Sequence, residues 1–199
     1  MHISEGILSG SMLAVTWAGT VAGVSYGLKH TSSERIIKTA LASSAFFLAS
    51  LVNVRIGPSS THLTLLAPMG LILGRSVFPA VFVALLLQAV LFGFGGLLVL
   101  GANTLTMALS SLLTYFIFAG MIRKSSGKSA VIFSFLAGAF AVMTGALLTG
   151  TLLGLTDRNF LGAVKLLLMI HVPLSCLEGV VTSFLVLWLK RVAPEFLDV

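Results

Sequence analysis

Three nitrogen atoms that can bind a metal ion lie together at the start of the chain, in Met1 and His2. The Met1 amine and the His2 backbone amide can close one small chelate ring, and the amide and His2 Nδ1 can close a second. The metal must displace the amide proton, and nitrogen ligands in a plane are typical of nickel(II) or copper(II). The segment therefore predicts a metal site that needs a fourth ligand. The alternative is that His2 is simply the residue after the start and binds no metal.

The fourth nitrogen is expected from His62, in the polar segment Gly-Pro-Ser-Ser-Thr-His-Leu at 57–63 between two apolar runs. Irregular backbone at membrane depth is tolerated where it lines a cavity or is buried in protein, and imidazole is a common metal ligand. An exposed histidine in an outer loop is the alternative that the spacing leaves open. The preceding hydroxyl side chains are expected to brace the loop or orient the ring: Ser59, Ser60 and Thr61.

His171 and Glu178 are seven positions apart in the last apolar run, so a helix places them on nearly the same face, with Ser175 between them. A glutamate within a bilayer should face the bundle interior and have a partner. We expect both residues to support the metal ligands rather than to bind the ion. An alternative is an intramembrane metalloenzyme that uses His62, His171 and Glu178, although no close ligand pair lies on one helix.

The chain around these residues has the composition of a membrane protein. Of its 199 residues, 57% are hydrophobic and 9% are charged, whereas a soluble domain carries about 25% charged residues. The apolar runs are continuous, as in spanning helices of about 20 residues, and do not alternate as membrane strands do. The sequence therefore predicts an all-α integral membrane protein, a bundle of about seven transmembrane helices.

The predicted helices cover 7–28, 36–54, 63–74, 77–100, 103–122, 129–155 and 160–190. The third is too short to cross a bilayer alone and is predicted to be a deeply placed half-helix. The last is too long for one straight span, and Pro173 is expected to break or kink it. Because no linker or convincing internal repeat divides the chain, we expect a single membrane-embedded domain over residues 1–199.

Twelve Lys and Arg outnumber six Asp and Glu, but the basic residues lie in short gaps between apolar runs, which indicates helix ends rather than nucleic-acid binding. Arg55, Arg158 and Lys165 fall on or near one side of the predicted bundle. The other side is richer and is expected to be cytoplasmic, which places the N-terminus outside and the C-terminus in the cytoplasm if 63–74 counts as a crossing. The residues on the richer side are Lys29, Arg35, Lys38, Arg75, Arg123, Lys124, Lys128, Lys190 and Arg191.

Two remaining features concern processing and redox chemistry. The first residues lack the charged region of a secretory signal, so Met1 is expected to survive in the mature protein. The single cysteine, Cys176, excludes an internal disulfide. His30, beside Lys29 at a predicted helix end, is expected to be a solvated flank.

Small residues recur at four-residue spacing in the first helix, where Gly19, Gly23 and Gly27 form one row and Ala14, Ala18 and Ala22 a neighbouring one. Gly150 and Gly154 repeat the spacing. Such rows let helices approach closely in lipid. They predict either packing within this chain or a docking face for another membrane subunit; a purely structural membrane protein held by these rows is a further alternative.

Four segments in order resemble the CbiM/NikM family. They are Met1-His2-Ile3 with Glu5-Gly6; Ser-Ser-Thr-His62-Leu; Gln88-Ala89-x-x-Phe92-Gly93-x-Gly95-Gly96 with Leu100-Gly101-Ala102-Asn103; and His171-x-Pro173-Leu174 with Glu178-Gly179-x-x-Thr182. Two departures stand out. Phe94 occupies a position that is commonly acidic in the family, and Leu-Thr-Leu-Leu-Ala-Pro follows His62 in place of a more glycine-rich stretch.

The resemblance implies a substrate-specific membrane component of an energy-coupling-factor (ECF) transporter for nickel(II) or cobalt(II). It implies that the N-terminal amine, His2 and the loop histidine, here His62, capture the ion, in agreement with the chelate argument. It also implies a transmembrane coupling protein, cytoplasmic ABC-type ATPases and often a small accessory membrane protein. The chain carries no recognised ATP-binding motif, so any ATP hydrolysis is expected in those partners.

Overall fold

The computed structural model describes residues 2–51, 53–56 and 59–197. Seven α-helices lie in this part of the chain, and their bounds are α1 Gly10–Lys29, α2 Ser33–Leu51, α3 Leu66–Leu73, α4 Val77–Phe92, α5 Leu100–Lys124, α6 Gly127–Thr156 and α7 Leu161–Val192. Short 3-10 turns cover Gly74–Ser76, Arg158–Phe160 and Pro194–Leu197. The predicted all-α membrane class is confirmed.

Four helical stretches in the described part are long and apolar enough to cross a membrane: Leu66–Phe92, Leu100–Lys124, Gly127–Thr156 and Arg158–Val192. The first of these joins α3, the turn at Gly74–Ser76 and α4. The predicted short third helix is therefore present, almost entirely buried, but it leads directly into the next helix. Seven separate spans are not confirmed.

A small antiparallel hairpin stands where the sequence analysis expects an irregular loop. Strand β1, Asn53–Ile56, pairs with β2, Ser59–His62, and His62 lies opposite Asn53 in the register. The pairing satisfies the backbone polar groups that face the partner strand, which a non-helical segment in a membrane protein otherwise leaves free. It delivers His62 to the start of the buried segment that leads into α3.

The predicted helix over 77–100 is wrong, because α4 ends at Phe92. Gly93 caps it in the left-handed region with φ of 67°, and Gly95 and Gly96 follow with φ of 76° and 125°. These are conformations that glycine adopts readily and other residues rarely do. A loop over 93–99 therefore separates α4 from α5.

Pro173 does not break the last helix. Helix α7 is continuous over its 32 residues with Pro173 inside it. Proline is tolerated within membrane helices where neighbouring groups satisfy the carbonyl that it leaves free.

The glycine row of α1 packs inside the protein. A Cβ at Gly19 would lie 3.1 Å from Leu105, and Cβ atoms at Gly23 and Gly27 would overlap Phe78 and Pro79. Gly150 faces Val164 in the same way, between α6 and α7. Of the two interpretations, internal packing is correct for these glycines. The neighbouring row of Ala14, Ala18 and Ala22 is exposed.

Many of the basic residues gather at one end of the bundle. Lys38 donates to the Glu195 carbonyl, Arg123 donates to the Leu197 carbonyl at 3.0 Å, and Lys190 donates to the Ser125 carbonyl. Arg123 lies near the end of α5, whereas Asn103 lies near its start, about 30 Å away at 1.5 Å per residue. The N-terminal segment contacts Asn103, so it lies at the opposite end from the basic cluster.

Candidate metal centre

The N-terminal segment is attached to the start of α5 by Asn103. The Ile3 backbone N–H donates to Asn103 Oδ1 at 2.8 Å, and Asn103 Nδ2 donates to the Ile3 carbonyl at 3.0 Å. The side chain thus pairs with both backbone groups of Ile3, as a neighbouring strand would. Both residues are buried. Since His2 directly precedes Ile3, this pair fixes where His2 can reach.

The glycine loop holds the same segment from the other side. The Glu5 N–H donates to the Gly95 carbonyl at 3.2 Å, and Glu5 Oε1 accepts from the Leu98 N–H at 3.0 Å. A Cβ at Gly95 would lie 2.7 Å from Asn103 Nδ2, and one at Gly96 would overlap the Glu5 side chain. Glycine at these two positions therefore leaves room for residues 2–5 to lie against the loop.

Glu178 holds the segment that follows His62. Its Oε1 accepts from the Thr64 N–H, from Thr64 Oγ1 at 2.8 Å and from the Leu65 N–H at 3.1 Å. Leu65 has φ of 46° and directly precedes α3. A carboxylate at a helix N-terminus satisfies N–H groups that the helix leaves free and lies favourably in its dipole. The predicted buried partner for Glu178 is therefore this backbone turn, and α7 positions His62 through it.

His2 and His62 meet although they are far apart in sequence. Their Nε2 atoms are 3.2 Å apart, and their rings stack with centroids at 5.2 Å. His62 Nδ1 lies 2.9 Å from the Leu63 carbonyl. A carbonyl only accepts, so Nδ1 carries the proton of the neutral ring and Nε2 keeps its lone pair. The lone pair of His62 therefore points at the His2 ring.

Both rings are held in the form that binds metal. Burial is the main cause that lowers the pKa of His62 to about 4 and places the pKa of His2 well below its ordinary value of 6.5. A buried imidazolium loses hydration, so the neutral ring is favoured. Two neutral imidazoles in contact, at neutral pH, can share one proton or ligate one cation. The predicted chelate uses His2 Nδ1, whereas the ring presents Nε2 to His62, so the chelate stays a prediction.

Phe94 covers the His2 ring. The two rings stack with centroids 6.3 Å apart, and Phe94 also contacts Phe92 at 5.8 Å. The residue that departs from the family pattern thus lies beside the predicted ligand. An apolar ring at this place adds to the burial of His2 and contributes no charge.

The remaining predicted site residues are placed as follows. His171 is buried, and its Nδ1 lies 2.7 Å from the Leu167 carbonyl. His30 contacts the Tyr26 carbonyl at 2.9 Å at the end of α1, as a flanking residue would. Met1 and the side chains of Ser59, Ser60 and Thr61 lie outside the described residues. No group of three His, Cys, Asp or Glu side chains converges in the described part.

Residues 2–196 match the family described as "CbiM: Cobalt uptake substrate-specific transmembrane region". The chain belongs to the CbiM family. Family members are components of metal transport, not enzymes, so the metalloenzyme alternative is wrong. Glu178 agrees with this outcome, because its oxygens already bind the backbone before α3.

The chain is similar to named transport proteins along its whole length. A Haemophilus influenzae protein named for metal transport is 36% identical, with 100% of this chain and 97% of that protein aligned. The "Fused nickel transport protein NikMN" of Rhodobacter capsulatus is 30% identical over 99% of this chain and 64% of its own length. The "Cobalt transport protein CbiM" of Kyrpidia tusciae is 29% identical, with 100% and 86% covered.

Solved structures show the same fold. A crystal structure of a transition metal transporter has a TM-score of 0.84 and 28% identity, covering 96% of this chain and 93% of that one. A truncated transition metal transporter has a TM-score of 0.81 and 27% identity, covering 96% and 99%. The chain is thus a multi-pass membrane component of metal transport.

Proposed function

We propose that this chain is the substrate-capture subunit of an ECF-type, ATP-driven importer of nickel(II) or cobalt(II). The ion binds the Met1 amine, His2 and His62. The observation that carries the proposal is the contact between His2 and His62, whose Nε2 atoms lie 3.2 Å apart. The contact brings the two rings to one place, and in the proposed site the His2 ring turns there to bind the ion through Nδ1 while His62 binds it through Nε2.

The chain terminus completes the donor set. The described side chains supply only two imidazoles at this place, and a divalent ion of this class binds four or more ligands. The Met1 amine and the His2 amide come from the segment that Asn103 and the glycine loop fix. Glu178 fixes the second histidine, and Ser59, Ser60, Thr61 and His171 are proposed to support the site.

The assembly and membrane orientation belong to the same proposal. We place residues 1–199 in one membrane domain of the plasma membrane, with the metal site outside and the basic end at the cytoplasm. A transmembrane coupling protein and cytoplasmic ABC-type ATPases supply the energy, with a small accessory membrane protein as a further partner. The exposed row of Ala14, Ala18 and Ala22 permits close approach of a partner helix.

The test begins with an extension of the chain by one residue before Met1. The extension removes the free amine from its chelate ring but leaves every side chain in place, so nickel and cobalt binding should be lost. Titration of the purified protein measures it, with an extension at the C-terminus as the matched control. Equal binding by the two extended proteins, or a preference for calcium or magnesium over nickel and cobalt, would refute the proposal.

Histidine substitutions locate the ligands. His62→Ala removes an imidazole nitrogen and should weaken metal binding far more than His30→Ala, because His30 lies on the end of α1 away from the site. His2→Ala should resemble His62→Ala. Competition between nickel and cobalt at matched free concentrations decides which ion the parent prefers.

A further inference from the structure

An open groove of about 450 Å³ lies between α6 and α7. Gly150 and Gly154 line its α6 side, and Leu161, Val164 and Leu168 line its α7 side. Among the described residues, a Cβ at Gly154 would meet only Leu161, at 3.8 Å, so the space beside this glycine is open. Leu161 is exposed, and both helices belong to stretches that can cross a membrane, so the groove faces the lipid tails.

The walls of this groove are apolar along most of their length. The one hydroxyl group among the lining residues, on Thr151, donates to the Leu147 carbonyl at 2.8 Å within α6. The other lining residues are glycine, leucine and valine, apart from Arg158 at one end. A flexible apolar chain therefore fits the groove, whereas a polar ligand would find no partner along it.

Arg158 lies at the end of the groove, in the turn between the two helices. Its side chain is exposed and makes no hydrogen bond or ion pair within the described part of the chain. The neighbouring Asp157 carboxylate faces Asn159 instead, since it accepts from the Asn159 N–H at 2.8 Å and from Asn159 Nδ2 at 3.4 Å. The open end of the groove therefore carries a cation without a counter-charge.

Lys165 supplies a second cation beside the same groove. It lies one turn after Leu161 and one turn before Leu168, so α7 places it at the edge of the face that lines the groove. It is exposed and, like Arg158, has no bonded partner among the described residues. Side chains in a helix lean towards its N-terminus, which is the end where Arg158 lies. The long stem of Lys165 can therefore follow the apolar wall while its ammonium group reaches the polar end.

We propose that this groove binds one anionic phospholipid. An acyl chain lies between α6 and α7, and the phosphate group binds Arg158 and Lys165. Arginine donates to phosphate oxygens in pairs, and each cation near a membrane surface attracts anionic lipid. An apolar partner helix in the groove would instead bury the Arg158 guanidinium without a counter-charge, which is costly. The inference goes beyond metal capture and does not depend on it.

Native mass spectrometry of the purified full-length protein, titrated with phosphatidylglycerol, measures the dissociation constant of the bound lipid. The parent should bind phosphatidylglycerol more tightly than phosphatidylcholine, because the positive headgroup of phosphatidylcholine is repelled by both cations. Glycerol phosphate should not displace the lipid, because it has the phosphate group but no acyl chain. Displacement by glycerol phosphate would mean that the site binds a free phosphate ester and would overturn the proposal.

A charge variant tests the headgroup contacts. The double change Arg158→Gln and Lys165→Gln should raise the dissociation constant for phosphatidylglycerol about 30-fold, or about 5-fold for each cation. Its matched control, Lys124→Gln with Lys128→Gln, removes the same charge at the other end of α6 and should change the affinity little. Equal affinity of the parent for the two lipids, or equal losses in the charge variant and its control, overturns the proposal.

A second variant tests the place of the acyl chain. Gly154→Leu fills the groove without changing its charge, at a position where a side chain has room. It should weaken phosphatidylglycerol binding at an unchanged Tm, whereas Gly120→Leu, also helical and without a near neighbour, should leave binding as in the parent. A Gly154→Leu protein that keeps the lipid affinity of the parent, or that loses self-association instead, shows that the chain does not occupy this groove and overturns the proposal.

Discussion

Replacement of Asn103 by alanine should release the N-terminal segment and weaken metal binding. The side chain makes one hydrogen bond to the Ile3 N–H at 2.8 Å and one to the Ile3 carbonyl at 3.0 Å. Each contributes about 0.5–1.5 kcal/mol, so the pair contributes about 1–3 kcal/mol to holding the segment in place. Because only a docked segment presents His2 to the ion, the nickel dissociation constant should rise by up to ~150-fold, and the full factor is reached where the released segment is mostly undocked.

Two measurements report the free energy that holds the N-terminal segment in place. Calorimetry on the purified protein gives the nickel dissociation constant, and amide hydrogen exchange gives the opening of the Ile3 N–H without metal. In Asn103→Ala the exchange rate of the Ile3 N–H should rise by the full factor, and the nickel dissociation constant should rise by that factor or less, because affinity falls only with the docked fraction. Asn159→Ala is the matched control, since Asn159 lies in the Arg158–Phe160 turn and contacts Asp157.

Asn103→Asp separates the two hydrogen bonds. The carboxylate still accepts from the Ile3 N–H. Its second oxygen faces the Ile3 carbonyl, to which Asn103 Nδ2 donates in the parent, so that hydrogen bond is replaced by repulsion. We expect metal binding weaker than in the parent at neutral pH. If the Ile3 N–H of Asn103→Ala exchanges as fast as an amide in an unstructured peptide while nickel affinity stays that of the parent, the docking of this segment does not control the metal site and the reasoning is refuted.

Three further predictions concern stability. Glu178→Gln places an amide N–H donor where one oxygen faces the Leu65 N–H, so thermal unfolding should show a loss of about 1–3 kcal/mol; a Tm equal to that of the parent would contradict the bonding described. Gly96→Ala should lower the Tm because its φ is 125° and Glu5 fills the space of a Cβ, whereas Gly120→Ala, helical and without a near neighbour, should not. Without metal, the free energy of unfolding should be constant above pH 6.5 and should fall by about 3 kcal/mol as the pH falls to 4. The reason is that His62 binds a proton near pH 6.5 in the unfolded chain but only near its lowered pKa of about 4 in the folded protein. A His62→Gln variant with the same pH profile would contradict this.

The sequence predicts that His2 and His62 share one site, and the two rings do meet, but it does not predict which residues hold them there. The two histidines can be chosen from the sequence because polar, ionisable residues are rare in an apolar chain, which makes each one informative. Asn103 is equally rare in its surroundings, and the cost of burying an amide could have identified it. Nothing in the spacing indicates that its partner is the backbone of Ile3, 100 positions earlier, because contacts between distant segments leave no periodic pattern.

The errors in the helix assignment have a common cause. Hydrophobicity extends the fourth predicted helix to residue 100, since Leu97 and Leu98 are as apolar as the helix before them. Three closely spaced glycines at 93, 95 and 96 indicate that the helix ends before them, because such clusters mark loops. At Pro173 the predicted break is wrong, because membrane helices tolerate proline where neighbouring groups support the backbone, while the predicted kink stays a prediction.

Two helices carry the two halves of the candidate site. Asn103 on α5 holds the segment that begins with His2, and Glu178 on α7 holds the segment that ends with His62. The imidazoles themselves lie on non-helical segments, which on their own would fluctuate. Their separation is therefore set by the relative position of α5 and α7, which both pack against α6. A displacement of α7 against α5 would part the two rings without disturbing either hydrogen-bonded attachment. Under the proposed function, such a displacement is a physical route by which a membrane partner would change metal affinity from a distance.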